Sequence, residues 1–513
     1  MPAADLILNN ANVITMDPDC PTAELVAIKD NRILLVAGNE ALELVKGAKA
    51  RVIDCYGKTV VPGFNDAHCH IFSFIRRLRD LDLSPSSVSS IAEIKATIRR
   101  QAQSLPPGNW LTGSGYNEFY LAEKRHPNRW DLDEAAPHHP VVLVHRSLHA
   151  CVLNSLALSL AGITRETPEP AGALIDRELE TGEPSGLLFE MLGYIRERVV
   201  PPLSEAELAE GIVSANQHYL SMGITSVQEA SATNDFTRWQ TLKRFKNNGM
   251  LQSRVSMMFG TSALSQFEPA GLTSGSGDSY LRLGGVKLML SETTGQLPLA
   301  ELNQQAFSAH KAGFQLAIHC VELSTVGAAI AVLEYISRQL PLPKRRHRLE
   351  HCSECPPQLL KRLSRLKAMV VTQPPFLYYS GERYLATIPP TQLKWLYRIK
   401  SFLDRGLIVA GGSDSPVVPD NPLVGIYAAV TRRAESGQYL SPQERISAKQ
   451  ALAMYTINAA YASFEENIKG SITPGKLADM VVLSDDPIKS PPERLKDIWV
   501  EMTIINGKVV WEV

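Results

Sequence analysis

The segment Pro62-Gly63-Phe64-Asn65-Asp66-Ala67-His68-Cys69-His70 places two imidazoles two residues apart. At the end of a β-strand, side chains at that spacing point the same way, so His68 and His70 reach one cation together while Cys69 faces the other way. Taken alone, the pair fits a structural role equally well. Further groups fall at the ends of other predicted strands: Lys287 within Gly285–Met289, His319 closing Gln315–His319, His351 closing His347–His351, and Asp414 just after Val409–Ser413. Imidazoles with a carboxylate suit zinc or another borderline divalent metal, as one or two ions. A lysine ammonium cannot ligate, so Lys287 joins such a set only when carbamylated. Each residue also has a plainer reading. A lone strand-end histidine is commonly a hydrogen-bonded structural group, Lys287 fits a paired lysine, and Asp414, ahead of Ser415-Pro416, fits a helix N-cap. Their joint placement, on or just after strands in chain order, favours the metal.

The elements that position these residues alternate. Predicted strands are Val60–Asp66, Ile224–Gln228, Arg254–Phe259, Gly284–Leu290, Phe314–His319, Arg346–His351, Ala368–Gln373 and Leu407–Gly411. Between most of them lie stretches of helical spacing: Leu299–Ala312, Ser324–Arg338, Pro357–Leu366 and Thr391–Arg405. Eight strands alternating with helices predict a closed parallel α/β barrel, a (β/α)8 TIM barrel, whose C-terminal strand ends share one mouth. Short β-rich runs with turns occupy both ends of the chain, including a hairpin at Asp30-Asn31 and another at Asn506-Gly507. They predict one discontinuous β-sandwich domain from residues 1–60 and 461–513, flanking a barrel over 61–460. The stretch between Asp66 and Ile224 is far too long for one crossover. It predicts an inserted subdomain after the first strand, at about 78–205.

The chain has 513 residues, 44% apolar and 20% charged, with a net charge of −1. That balance argues against nucleic acid or an anionic membrane as a partner. No apolar run reaches the length of a membrane span, and Met1–Asp5 does not open a signal peptide. Seven scattered cysteines, an odd number, fit free thiols in a reducing cytoplasm. Cys352 and Cys355 form a C-x-x-C with no second pair to complete a zinc knuckle.

With these motifs in place, the chain resembles the amidohydrolase superfamily and, within it, the amidohydrolase 3 family, in its N-substituted formamide deformylase-like branch. The likeness runs over essentially the whole length. It is carried by Val61–His70, Leu349-Glu350-His351-Cys352, Gly412-Ser413-Asp414-Ser415-Pro416 and Gly470–Asp479. The resemblance implies that His68 and His70 bind one metal, that Lys287 bridges two metals as a carbamate, and that His319 and His351 bind the second. Asp414 is then the last-strand ligand that also handles protons, with Asp414 and His351 the catalytic pair. The implied reaction is cleavage of an amide, formamide or cyclic amide C–N bond in a small molecule by metal-activated water. His319-Cys320-Val321-Glu322 departs from the branch and resembles the superfamily's deaminases, so a mononuclear deaminase using Glu322 is the alternative. A barrel that has lost catalysis and only binds is a third reading. Tyr116, Asn117, His145, Arg146, His149 and Asn154 in the insertion, with Glu322, are the candidates for substrate contact. Phe376, Tyr378 and Tyr379 fit either an aromatic pocket wall or plain packing. The oligomeric state, a homodimer included, is open from the sequence.

Overall fold

The computed structural model describes residues 2–170, 172–290, 298–341 and 345–513. Eight parallel strands form one sheet: β1 Phe64–Cys69, β2 Ile224–Glu229, β3 Arg254–Gly260, β4 Leu281–Met289, β5 Leu316–Cys320, β6 Arg348–His351, β7 Met369–Thr372 and β8 Val409–Gly411. Each pairs with the next in that order. β1, β2, β3 and β6 are buried along their whole length, as expected for parallel strands covered on both faces. The fold is the expected TIM barrel, with a β-sandwich built from both chain ends.

The first and last strands meet at a seam held by a few specific bonds near the C-terminal ends. Asp414 donates its backbone N–H to His68 O at 2.7 Å, and His70 donates its own to Ser415 O at 2.8 Å. The buried Asp66 carboxylate accepts Ser413 Oγ–H at 2.5 Å, Ser413 N–H at 3.0 Å and His68 N–H at 3.1 Å. Gly412 is required at this approach, because a Cβ there would sit 2.7 Å from His68 N. Burial pushes the Asp66 carboxyl up to about 7, against the hydrogen bonds from Ser413 that pull it down.

The predicted strand Val60–Asp66 is two strands. Thr59–Pro62 pairs antiparallel with Met480–Leu483, and β1 begins at Phe64. Gly63 makes the passage between them, where a Cβ would lie 2.2 Å from Thr225 Oγ1. Two sheets from the chain ends share one apolar core that includes Leu8, Val26, Val60, Met480 and Ile504. One has the order Arg32–Ala37, Leu25–Lys29, Leu6–Asn9, Arg51–Asp54. The other runs Lys508–Glu512, Val500–Ile505, Met480–Leu483, Thr59–Pro62, Asn12–Ile14, Thr22–Ala23. The helix predicted over Thr391–Arg405 is instead two short helices, Pro390–Leu393 and Ile399–Asp404. Buried Tyr397 separates them at φ 47°, donating its N–H to Ser353 O, so the helical hydrogen-bond ladder cannot run through.

The chain divides into two compact units, and Ile71–Ser214 makes up most of the second. Its six-stranded sheet has the order Leu174–Arg177, Pro184–Phe189, Ala150–Leu153, Val141–His145, Leu111–Tyr116, Leu81–Asp82. Helix Ile91–Gln103, capped by Ser90, buries Ile91, Ile94 and Ile98 in the core of that unit.

Candidate metal centre

Strand alternation turns Asp66 and His68 to one side of β1, and His70 follows just past its end. His70 Nε2 lies 2.9 Å and His68 Nε2 3.4 Å from Asp414 Oδ1. The ligand atoms of His68, His351 and Asp414 all fall within 4.8 Å of one another. The His319 ring packs edge-on against His351, with centroids 4.4 Å apart. Lys287 Nζ is 3.3 Å from His68 Nε2. Residues from β1, β4, β5 and β6 and from the turn after β8 thus converge at one mouth.

The second ring nitrogen of three histidines is already engaged. His68 Nδ1–H donates to Glu350 Oε2, a carboxylate that can only accept. His351 Nδ1 is 2.7 Å from Gln373 Oε1. His70 Nδ1 is 2.8 Å from Ser231 Oγ, and the Ser231 N–H donates to Glu229 at 2.9 Å. Occupied Nδ1 atoms aim the three Nε2 atoms inward, the arrangement that metal-binding histidines adopt. Burial, followed by the nearby Lys287 ammonium, holds the His68 imidazole well below its usual range. Burial likewise takes His351 down to about 4. Both are neutral near pH 7, as metal ligation requires. For Asp414 the upward push of burial is outweighed by the His70 hydrogen bond and the surrounding rings, so its carboxyl sits below the usual range. Burial lowers the Lys287 ammonium. Neutral imidazoles converging on an ionised carboxylate in a buried setting fit a borderline divalent cation.

Backbone strain falls at the same place. His351 has φ 67° and Asp414 φ 62°, the left-handed region that costs a non-glycine residue on the order of 1–3 kcal/mol. Cys352 N–H donates to Cys320 O at 2.9 Å, and Asp414 N–H to His68 O, which holds both turns.

The remaining candidates have their own partners. Glu322 stands at the N-cap of helix Leu323–Gln339, its Oε2 accepting Thr325 Oγ1–H at 3.0 Å. Within the second unit, buried Tyr116 places its hydroxyl 3.1 Å from His126 Nδ1. His145 Nε2 lies 2.8 Å from Glu118 Oε2 and its Nδ1 2.7 Å from Ser147 Oγ. That unit also joins Arg146 N–H to Tyr116 O at 3.0 Å and sets His149 Nδ1 2.8 Å from Glu190. Asn117 Oδ1 accepts the Phe119 N–H at 3.1 Å. Asn154 is a fully buried N-cap that accepts from Ala157 N–H and Val141 N–H and donates to His139 O. Phe376 and Tyr378 pack on a cluster around Leu377, Tyr384 and Tyr397, and Tyr379 meets Tyr378 edge-on. Cys352 and Cys355 are buried free thiols.

Sequence reasoning missed the residues behind the ligands: Glu350, Arg348, Gln228, Asp66, Ser413, Ser231 and Gln373. One signal was readable. Arg348 and Glu350 alternate on β6, so a strand that should face an apolar interior carries two charges on one face.

The sequence model of the amidohydrolase family matches residues 51–511. The chain is 30% identical to N-substituted formamide deformylase of Arthrobacter pascens over 538 aligned positions, covering 99% of this chain and 98% of that protein. Among solved structures, a metal-dependent hydrolase of Pyrococcus horikoshii superposes with a TM-score of 0.75 at 24% identity, covering 95% of this chain and 99% of the other. Atrazine chlorohydrolase of Arthrobacter aurescens, complexed with zinc, gives a TM-score of 0.59 at 14% identity, covering 99% and 95%.

Proposed function

Because the chain belongs to the amidohydrolase family, and is thereby a metal-dependent hydrolase of non-peptide C–N bonds, we propose that its substrate is a small N-acyl or N-formyl compound or a cyclic amide. The observation that carries this reading is the set of inward Nε2 atoms around Asp414, each ring fixed from behind. His68, His70, His319, His351 and Asp414 would hold the metal, proposed as zinc. Lys287 would join them only as a carbamate, which a second ion would need. A divalent cation bound there supplies Lewis acidity and brings the pKa of water from about 15.7 toward about 7.

The chain's own residues do the rest. Asp414, ionised and 2.9 Å from His70 Nε2, accepts the proton of the attacking water on a carboxylate oxygen. The same oxygen returns it to the departing nitrogen, since an amine leaves poorly unless protonated. His351, neutral and oriented by Gln373, faces the same space and would offer the Nε2 lone pair to the bound cation. The deaminase alternative asks Glu322 to carry protons, yet its carboxylate is engaged by Thr325 in the first turn of its own helix. Asp414 is therefore the favoured shuttle. The likeness to N-substituted formamide deformylase of Arthrobacter pascens supports a formamide or other small amide as the starting class.

The test is a screen of N-formyl amines, N-acyl amines and lactams on zinc-loaded protein, with metal counted in parallel. We expect amine release that a chelator abolishes and zinc restores. Full activity in metal-stripped protein would overturn the reading, as would a fully zinc-loaded protein that hydrolyses nothing in these classes.

A further inference from the structure

The histidines at the mouth do not rest on equivalent partners. His70 Nδ1 leans on a serine hydroxyl and His351 Nδ1 on an amide, both neutral, whereas His68 Nδ1 leans on a carboxylate. That carboxylate, Glu350, is completely buried, and so is the guanidinium that pairs with it. Arg348 donates Nε–H to Glu350 Oε1 and Nη2–H to Oε2 at 3.0 Å. Its remaining donors reach across the barrel, to Gln228 Oε1 on β2 at 2.6 Å and to Ala67 O on β1, also at 2.6 Å. Gln228 in turn donates to Ala459 O at 2.8 Å. The arginine thus fixes Glu350 and the backbone immediately before His68 in a single frame.

We infer that Glu350 is a positioning residue whose negative charge, delivered through His68 and held in place by Arg348, sets the affinity of the metal centre. The inference rests on the metal-dependent reading above and adds a residue to it. A carboxylate accepting Nδ1–H locks His68 in the tautomer whose Nε2 carries a lone pair and strengthens that nitrogen as a donor. A buried carboxylate is retained in a barrel interior only with a partner, and the bidentate Arg348 supplies it from two residues away on the same strand. A purely space-filling ion pair would have no reason to place its second oxygen on the histidine.

The experiment measures zinc affinity by competition with a chromophoric chelator in the wild type, Glu350→Gln, and the double variant Arg348→Met/Glu350→Gln. In Glu350→Gln an acceptor remains for His68 but the charge is gone. The double variant also removes the arginine that would be left unpaired. We expect both to bind zinc about 10- to 100-fold more weakly than wild type. Affinities within twofold of wild type in both would overturn the inference. So would recovery in the double variant, because the loss would then come from an orphaned Arg348. Should neither variant fold, the 15N shifts of His68 in histidine-labelled, metal-free wild type decide: an Nδ1-protonated ring supports the inference and an Nε2-protonated ring overturns it. A wild type that binds no zinc is a different failure, that of the metal-dependent reading itself.

Discussion

At the base of the barrel His310 and His347 use up all four of their ring nitrogens within the protein. His310 Nε2 donates to Leu340 O at 2.8 Å, its Nδ1 lies 2.8 Å from His347 Nε2, and His347 Nδ1 accepts the Leu316 N–H at 3.0 Å. At the mouth His68, His70 and His351 are each anchored at Nδ1 from behind and turn Nε2 toward Asp414 and one another, His70 Nε2 meeting Asp414 Oδ1 at 2.9 Å. The charged residues repeat the contrast. Near the base Arg254 is clasped by Asp479, and Lys469 pairs with Glu465 at 2.8 Å while donating to Ser226. At the mouth the ionised carboxylate of Asp414 sits instead on strained backbone, beside the neutral ring of His351 on backbone of the same kind. The same residue types close a structure at one end and line a candidate metal site at the other, in keeping with the division of labour in such barrels.

The largest effect should come from breaking the mouth. Asp414→Asn is expected to fold and to lose about 10²- to 10⁴-fold in kcat. Near-normal turnover with metal retained would remove Asp414 from its role. Breaking the base should give the opposite signature. Arg254→Met leaves Asp479 buried without its partner and should cost about 3–5 kcal/mol in denaturant unfolding. Zinc affinity of the folded variant should stay unchanged, and a shift would mean that the two ends are coupled. Stripping metal from the mouth should lower stability by about 2.7 kcal/mol relative to protein held at a hundredfold excess over Kd. Differential scanning calorimetry with and without chelator measures this.

The smallest effect separates the histidines by pH. Burial takes His347 from 6.5 down to about 3 and lowers His310 as well. Both folded values lie below the unfolded one, so the unfolded chain takes up protons that the folded chain refuses. Stability from this pair is complete above about pH 6.5 and falls toward pH 3, by up to about 1.4 kcal/mol per pH unit for His347. In metal-free protein, His347→Gln should flatten that slope. An unchanged slope would place the acid sensitivity elsewhere.

The barrel was legible because strand and helix periods alternate with chemistry-bearing residues at the strand ends. His68, His319, His351 and Asp414 were readable for that reason. Pro62-Gly63 is a turn signal inside Val60–Asp66, and a strand Gly57–Pro62 running into it is readable from the sequence, but only the pairing with Met480–Leu483 shows that one sheet hands over to another there. Tyr397 ends a helix through a tertiary bond to Ser353, which local pattern does not contain. Asn154, named from the sequence as a candidate for substrate contact, forms a buried helix cap ahead of Ser155-Leu156-Ala157. Glu350 escaped notice beside the more conspicuous His351, because its partner His68 lies 282 positions away.

The seam between the first and last strands carries a consequence for biosynthesis. Asp66 and Ser413 are 347 positions apart, yet their bond aligns the turn that bears Asp414. The emerging polypeptide presents its imidazoles long before Asp414 leaves the ribosome. Closing the sheet brings Asp414 to the histidine of the first strand, so the barrel and its candidate metal centre are completed together.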